Sequence, residues 1–226
     1  MSDSRAPITV ALVDDDWHTR VAVPQVAITF PDRIKFIAEV ERVESLLVDD
    51  APVPDVVLLD VYLGDDDELS IEHIPELVRR GSKVLLHTKE RAPARLIQAM
   101  ELGAHGLVLK FQGPQPLLEA LLAVAADEDV VNSPLANALL NDSRCARLTP
   151  RQVEVLELIA DGLSEDQAAA ALSITQGAVK KHMADITAKY RTLERPSGGK
   201  RTIGEATKDG WTRPRGEAKG EPEESP

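Results

Sequence analysis

The chain has 226 residues, enough for one large domain or two small ones. Aromatic residues make up only 3% of it, so any core must consist of aliphatic side chains, and its single cysteine excludes an intramolecular disulfide. No apolar run approaches the roughly 18–20 residues of a membrane-spanning helix, and no signal peptide is recognisable. We therefore expect a cytoplasmic protein without membrane contact.

The formal net charge of −12 is distributed unevenly. Residues 1–143 carry 12 lysines and arginines against 25 acidic residues, whereas residues 144–195 carry 8 against 7, and residues 196–226 carry 6 of each. A chain of this overall charge is repelled by nucleic acid. Any binding to DNA must therefore come from a localised basic surface in the second part.

Five apolar runs alternate with helix-like segments in the first 126 residues. We predict strands over residues 8–13, 34–40, 56–61, 83–88 and 106–110. We predict helices over about 18–29, 41–49, 71–80, 92–102 and 114–126. Pro24 lies inside the first helix and should kink or shorten it. The alternation predicts an α/β fold: a five-stranded, doubly wound parallel sheet with helices on both faces.

Polar side chains stand at the carboxyl ends of four of these runs, namely Asp14 with Asp15 and Asp16, Asp60, Thr88, and Lys110. Parallel strands point the same way, so these ends converge on the edge where open α/β sheets place their chemistry. Carboxylates, a hydroxyl and a lysine gathered there predict a site for a divalent cation and a phosphoryl group. Taken singly, an acidic residue after a strand is often only a solvated turn or a helix cap, which is our interpretation of Asp16.

A smaller all-α domain is predicted over residues 148–195. Thr149 and Ser164 each have a glutamine three residues later, which is close to a capping box at a helix start. A third helix is predicted from Thr175 to about Tyr190. Two short helices joined by a tight turn, the second carrying lysines, are typical of a helix-turn-helix.

The remaining segments lack a clear period. Residues 127–147 are interpreted as a linker, with one helical turn or more near SPLANALL. Residues 196–226 are rich in glycine, proline, lysine and glutamate, and their few apolar side chains do not offset the entropy of ordering. We therefore predict domains at 1–126 and 148–195, with a disordered tail after them.

These features together resemble the NarL/FixJ-type response regulators, in which a flavodoxin-like receiver domain precedes a LuxR-type helix-turn-helix. The resemblance covers roughly residues 6–193. Two features carry it. One is the set of polar residues at the strand ends, namely the acidic pair Asp14 and Asp15, then Asp60, Thr88 and Lys110, and the other is the run LTPRQVEVLELIADGLSEDQAAAALSITQGAVKKHM. That run is similar to the family's pattern, which leads from L-T-x-R-E-x-E-V-L to T-V-K-x-H.

The resemblance implies a two-component transcription factor that binds DNA, is active as a homodimer and is phosphorylated by a sensor histidine kinase. It implies that Asp60 accepts the phosphoryl group and that Asp14, Asp15 and Asp60 hold Mg²⁺. Thr88 and Lys110 would contact the phosphoryl oxygens. This set of residues defines the expected receiver site.

The resemblance also implies which residues contact DNA. They are on or just before the third helix of the second domain: Thr175, Gln176, Lys180, Lys181 and Lys189. Lysine donates to guanine or binds phosphate. The alternative for Lys180 and Lys181 is an ordinary exposed helix face.

Several residues depart from the family's pattern, and three of them concern the receiver pocket. Lys89 stands where a small residue is usual, Leu107 where an aromatic often acts as the switch, and Phe111 where proline or aspartate is common. A second hypothesis is therefore an orphan regulator whose receiver pocket responds to a ligand or a partner protein instead of phosphate.

A third hypothesis is a Mg²⁺-dependent phosphotransferase or phosphatase of the haloacid-dehalogenase type. That class needs Asp-x-Asp at the nucleophile, whereas Asp60 is followed by Val61 and Tyr62. We therefore predict that the protein is not an enzyme.

Overall fold

The computed structural model of the chain describes residues 6–64, 68–110, 113–128, 130–131 and 134–212. The chain divides into two compact units, Met1–Arg91 with Leu96–Asn141 and Ala92–Arg95 with Asp142–Pro226. The sequence-based boundaries at residues 126, 147 and 195 stay a prediction.

All five predicted strands are present before residue 141, with helices between them and three short additional strands. The strands are β1 Ile8–Val13, β2 Ile34–Val40, β3 Val56–Leu59, β4 Tyr62–Leu63, β5 Glu68–Leu69, β6 Lys83–Thr88, β7 Gly106–Leu109 and β8 Val130–Val131. The helices are α1 Trp17–Ala22, α2 Gln25–Thr29, α3 Glu44–Leu47, α4 Ile74–Arg79, α5 Pro93–Glu101, α6 Pro114–Ala125 and α7 Pro134–Leu140, with a 3₁₀ turn at Ser70–His73. The helix expected over 18–29 is split at Pro24, because proline lacks the donor that would continue it.

The main sheet is parallel and has the strand order β2-β1-β3-β6-β7-β8. Among the described residues it contains six strands, so the predicted count of five is wrong. The sixth strand, Val130–Val131, has only two residues and lies inside the stretch that was interpreted as a linker. It pairs with Gly106 and Leu107 of β7. Two residues among acidic neighbours are too few to show a strand pattern in the sequence. The separate pair β4 and β5 is antiparallel.

The core lies on both faces of this sheet, as the doubly wound prediction requires. In β3, Val57 and Leu59 pack into one buried cluster, whereas Val56 and Leu58 pack into the other. Side chains alternate between the faces of a strand, so a run of four apolar residues serves both layers. The first layer is completed by α3, α4, α5 and α7, and the second by α2 and α6.

The second unit contains the helices α8 Pro150–Ala160, α9 Glu165–Ala171, α10 Gln176–Thr192 and α11 Lys200–Asp209. Thr149 and Ser164 form complete capping boxes at the starts of α8 and α9, as their spacing predicted. The small core of this helical group is built from Val155, Ala168, Ala169 and Val179.

The prediction of a tail that is disordered from residue 196 is wrong over Lys200–Asp209, because these residues form helix α11. Polar contacts hold it: Tyr190 donates to Asp209 Oδ2 at 2.9 Å, and Arg195 contacts Asp209 Oδ1 at 2.6 Å and Glu205 Oε2 at 2.7 Å. The composition argument counted apolar side chains only, so it missed an anchor made of charged groups. The part of the tail prediction that concerns residues 213–226 lies outside the described residues.

Candidate functional site

Three carboxylates meet at the carboxyl edge of the sheet. Val13 and Leu59 are paired across β1 and β3, so Asp14 and Asp60, which follow them, lie side by side. One carboxylate oxygen from each of Asp14, Asp15 and Asp60 lies within 4.8 Å of the other two. Asp14 is fully buried and Asp60 is nearly so, whereas Asp15 is exposed.

Backbone donors and neighbouring side chains fix these carboxylates. Gly64 N–H donates to Asp15 Oδ2 at 2.9 Å, and Val61 N–H donates to Asp60 Oδ1 at 2.7 Å. The Ser70 hydroxyl donates to the Asp60 carbonyl in a short contact. These contacts hold the acids in place from the loop that follows β3.

Arg20 is a positioning residue that the sequence analysis missed. From α1 its guanidinium donates to the carbonyls of Asp14 and Asp15, at 2.7 and 2.8 Å. The only available signal was an arginine one helical turn past the acidic residues, which is too common a feature to be diagnostic.

Lys110 joins two of the carboxylates. Its ammonium lies 2.5 Å from Asp60 Oδ2 and 2.7 Å from Asp14 Oδ2, and its side chain is only 7% exposed. Burial alone would lower the pKa of Lys110, but the negative charges of Asp60 and Asp14 and the hydrogen bond to Asp60 outweigh that effect and raise the pKa. The lysine is therefore charged at neutral pH.

Asp14 carries an electrostatic cost at this edge. Burial raises its pKa from the usual 3.8 to about 6, although Lys110 acts in the opposite direction. Its Oδ2 atom accepts no well-directed hydrogen bond from the described residues and forms an ion pair with the Lys110 ammonium at 2.7 Å. Three carboxylates against one ammonium leave a net negative charge in a set of oxygen ligands, which fits a hard divalent cation such as Mg²⁺.

Thr88 is the remaining residue of the expected receiver site, and Lys89, Leu107 and Phe111 are the residues that depart from the family's pattern. Thr88 ends β6 and is buried, and its hydroxyl accepts a hydrogen bond from Glu90 N–H at 3.0 Å. The Lys89 ammonium lies 3.7 Å from Asp16 Oδ2. Leu107 is fully buried in the sheet. Phe111 lies outside the described residues.

Asp16 is the helix cap that the sequence predicted. Its carboxylate accepts from His18 N–H at 2.9 Å at the start of α1. This hydrogen bond lowers the pKa of Asp16. The residue next to the acidic cluster therefore has a local structural role.

The predicted DNA-contacting residues lie on or beside α10. Thr175 caps the helix by accepting from Ala178 N–H at 3.1 Å. Lys180 and Lys181 are 57% and 77% exposed, and their ammonium groups lie 3.5 Å from Glu165 and 3.4 Å from Asp185. Such long, exposed ion pairs are weak, so both lysines are available to an anionic partner. Gln176 is half-buried at the first turn.

Lys189 differs from the other lysines of α10. Its ammonium donates to the Arg147 carbonyl at 2.5 Å and to Gln152 Oε1 at 2.7 Å. These contacts tie the end of α10 to the start of α8. The structure therefore does not bring Lys189 together with Lys180 and Lys181 as an exposed cation.

Comparison with known proteins finds related transcription regulators. The family model described as GerE, bacterial regulatory proteins of the luxR family, matches residues 146–196. The nitrate/nitrite response regulator NarL of Escherichia coli is 29% identical over 203 residues, which cover 85% of this chain and 93% of that protein. A probable transcriptional regulatory protein NarL of Mycobacterium tuberculosis is 31% identical over 151 residues, which cover 64% of this chain and 70% of that protein.

Solved structures show the same fold. RcsB of Salmonella enterica serovar Typhimurium, bound to the promoter rprA in the presence of the phosphomimetic BeF3⁻, is 21% identical with a TM-score of 0.59, covering 89% of this chain and 98% of that chain. ChrA, a response regulator of a heme-sensing two-component system, is 27% identical with a TM-score of 0.51, covering 92% and 100%. The fold and the acidic sheet edge define a response regulator with a helix-turn-helix output. The chain belongs to the NarL family of two-component transcription regulators.

Within the described part of the chain, no helix combines the length and the apolar character needed to cross a membrane.

Proposed function

We propose that the protein regulates transcription and that phosphorylation of Asp60 controls it. The observation that carries the proposal is the convergence of Asp14, Asp15 and Asp60 within 4.8 Å, with Lys110 bridging two of them. Neighbouring acids that serve only as turns or caps need no shared buried cation. This cluster therefore supports a phosphoryl site better than it supports a solvated loop.

The chemistry follows from the residue types. A carboxylate oxygen of Asp60 attacks the phosphorus of a phosphohistidine on a sensor kinase, and an acyl phosphate forms as the nitrogen–phosphorus bond breaks and the histidine keeps the electron pair. Mg²⁺ held by Asp14, Asp15 and Asp60 would supply positive charge to the phosphoryl oxygens. Lys110 provides a fixed cation for them. The Thr88 hydroxyl accepts from Glu90 N–H through its oxygen and keeps its own proton to donate.

The proposed output surface is the N-terminal half of α10. Thr175 and Gln176 would approach the DNA backbone at the positive end of the helix, with Lys180 and Lys181 in the major groove. Two exposed lysines give few phosphate contacts per copy. Binding as a homodimer to paired half-sites would double them.

A direct experiment tests the acceptor. The full chain is incubated with Mg²⁺ and acetyl phosphate, or with beryllium fluoride, and the intact mass and the oligomeric state are measured for the wild type and Asp60→Ala. We expect a phosphoryl mass gain with acetyl phosphate and a shift towards dimer with either reagent, both lost in the variant. An unchanged mass with no shift would contradict the proposal.

The second candidate is a regulator that responds to a ligand or partner protein without phosphorylation. Leu107 favours it, because this leucine is fully buried in the sheet where relatives often place a rotating aromatic. A wild-type protein that takes up no phosphoryl group, yet binds DNA in footprinting, would support this candidate.

A further inference from the structure

Helix α11 carries its negative and positive charges on opposite sides. Its two acidic residues, Glu205 and Asp209, are buried and contact Arg195 at 2.7 and 2.6 Å. Four residues of α11 are exposed, namely Lys200, Arg201, Gly204 and Lys208. These four define the outer face of α11, which carries positive charge and no negative charge, although the whole chain has a net charge of −12.

The cations in the first turn of α11 lack counter-charges within the described part of the chain. Lys200 and Arg201 form no ion pair there, whereas Lys208 lies 2.6 Å from Glu205. That first turn also contains no acidic residue. Cations at the start of a helix oppose its dipole, so these two side chains do not stabilise α11. Their charge is therefore available to an anionic partner.

Gly204 leaves room for a close approach at the centre of the outer face. A Cβ atom at this position would meet nothing within 4 Å, so the packing of α11 does not require a glycine there. Glycine is less favourable than alanine inside a helix. The fold therefore does not explain this residue, whereas a partner that lies flat against α11 between Lys200 and Lys208 would.

The start of α11 lies near the proposed DNA-reading helix. The Thr202 hydroxyl is 3.2 Å from the Thr187 hydroxyl of α10. Thr187 follows Lys181 by six residues, which is about 9 Å along the helix axis. That distance is shorter than the roughly 12 Å width of the major groove. A duplex whose major groove holds the N-terminal half of α10 therefore brings its bordering phosphates within reach of Lys200 and Arg201.

The charge of the outer face selects the kind of partner. Two copies of α11 packed face to face would bring like charges together, which is unfavourable. Double-stranded DNA instead presents one negative charge for about every 1.7 Å of its axis. We infer that the outer face of α11 binds the sugar–phosphate backbone beside the groove that α10 occupies. The inference rests on the proposed function, and it implies that a homodimer pairs through a different surface.

The test measures the affinity of the full chain for a footprinted and an unrelated duplex at several salt concentrations. Lys200→Ala combined with Arg201→Ala should weaken binding to both duplexes by a similar factor, at least about fivefold near 0.1 M salt, because phosphate contacts carry no sequence information. The plot of log K against log salt should flatten by about 0.9 for each lost contact, up to about 1.8 for each bound copy. The matched control is Lys208→Ala, which removes a cation of the same helix that Glu205 already pairs. It should leave the slope unchanged.

A second pair of variants adds charge to the outer face without removing any contact. Gly204→Glu and Gly204→Gln have side chains of nearly the same shape and differ in charge, and the open space at this position accommodates both. We expect the glutamate variant to bind either duplex about threefold more weakly than the glutamine variant at low salt, as for a unit charge about 7 Å from a phosphate in water.

Four results would overturn the inference. They are an unchanged slope with Lys200→Ala and Arg201→Ala, an equal loss with Lys208→Ala, equal affinities of the two Gly204 variants, and an altered monomer–dimer equilibrium of the α11 variants in sedimentation without a change in slope, which would assign the outer face to a second copy. A slope that falls with Lys180→Ala and Lys181→Ala but not with the α11 variants would refute this inference alone. A wild type that binds neither duplex would refute the proposed function with it.

Discussion

The Lys110 ammonium lies 2.5 Å from Asp60 Oδ2 and 2.7 Å from Asp14 Oδ2, so one lysine at the end of β7 holds carboxylates from two other strands. Both acids are buried or nearly so. The lysine is thus both a structural counter-charge and the cation nearest to the proposed phosphoryl acceptor.

Lys110→Met should destabilise the first unit. Methionine keeps the apolar stem but removes the charge, which leaves two largely buried carboxylates uncompensated and costs about 3 kcal/mol or more. Amide hydrogen exchange in β3, measured near pH 7 without divalent cations, reports the change. The matched control is Lys89→Met, whose exposed ammonium lies 3.7 Å from Asp16 and should matter by less than about 0.5 kcal/mol. Equal effects of the two variants would contradict the assignment.

Asp14 predicts an unusual pH dependence. Its pKa is raised from 3.8 to about 6, mainly by burial, so the folded protein binds this proton more tightly than the unfolded chain does. The contribution of Asp14 to the free energy of unfolding therefore falls as the pH rises from 3.8 to about 6. A pKa shift of this size corresponds to a change of about 3 kcal/mol in the free energy of unfolding.

Asp14→Asn, which mimics the protonated form, should consequently stabilise the protein above about pH 6, by up to about 3 kcal/mol without divalent cations. The gain should disappear below about pH 4, where Asp14 is protonated in both states. Urea unfolding at several pH values provides the measurement. Destabilisation by Asp14→Asn at neutral pH would show that burial of the ionised Asp14 does not cost stability.

Substitutions at the adjacent acids Asp15 and Asp16 distinguish a metal ligand from a helix cap. Mg²⁺ at 100 times its dissociation constant should stabilise the wild type by about 2.7 kcal/mol. Asp15→Asn should lose most of this effect, since Asp15 belongs to the acidic cluster. Asp16→Asn should keep it and lose at most about 1 kcal/mol of basal stability, since asparagine also caps helices. Calorimetric Mg²⁺ titration checks both variants, and equal Mg²⁺ binding by them would refute the ligand assignment.

The sheet and its acidic edge could be predicted because they follow from local patterns and one topological rule. The apolar run of β3 ends at Asp60 and that of β1 ends at Asp14, and parallel strands bring such ends together. The capping boxes at Thr149 and Ser164 depend on residues three apart, so the sequence shows them directly.

The features that sequence reasoning missed depend on contacts between distant polar groups. Helix α11 is held by Tyr190 and Arg195 through Asp209, and Lys189 is held by Arg147 and Gln152. Neither partnership leaves a period or a motif in the sequence. A lysine on a predicted recognition helix has the same local pattern whether it faces DNA or its own domain.

The exposed lysines of α10 predict the salt dependence of DNA binding. Lys180→Ala combined with Lys181→Ala should weaken binding to a footprinted duplex and flatten the plot of log K against log salt. The expected decrease is about 0.9 for each lost phosphate contact, which is up to about 1.8 for each bound copy and up to about 3.6 for a homodimer. The control is Lys35→Ala on β2 of the other unit, which is exposed and should leave the slope unchanged. An unaltered slope in the double variant would contradict the assignment of α10 to the proposed DNA surface.

The central claim is that the acidic cluster around Asp60 controls DNA binding. The most direct measurement is the affinity for a footprinted duplex, with and without BeF3⁻ and Mg²⁺, of the wild type and Asp60→Asn. The account predicts that BeF3⁻ tightens binding by at least about tenfold in the wild type and leaves Asp60→Asn unchanged. Equal affinities of the wild type in both conditions, or the same gain in the variant, would contradict it.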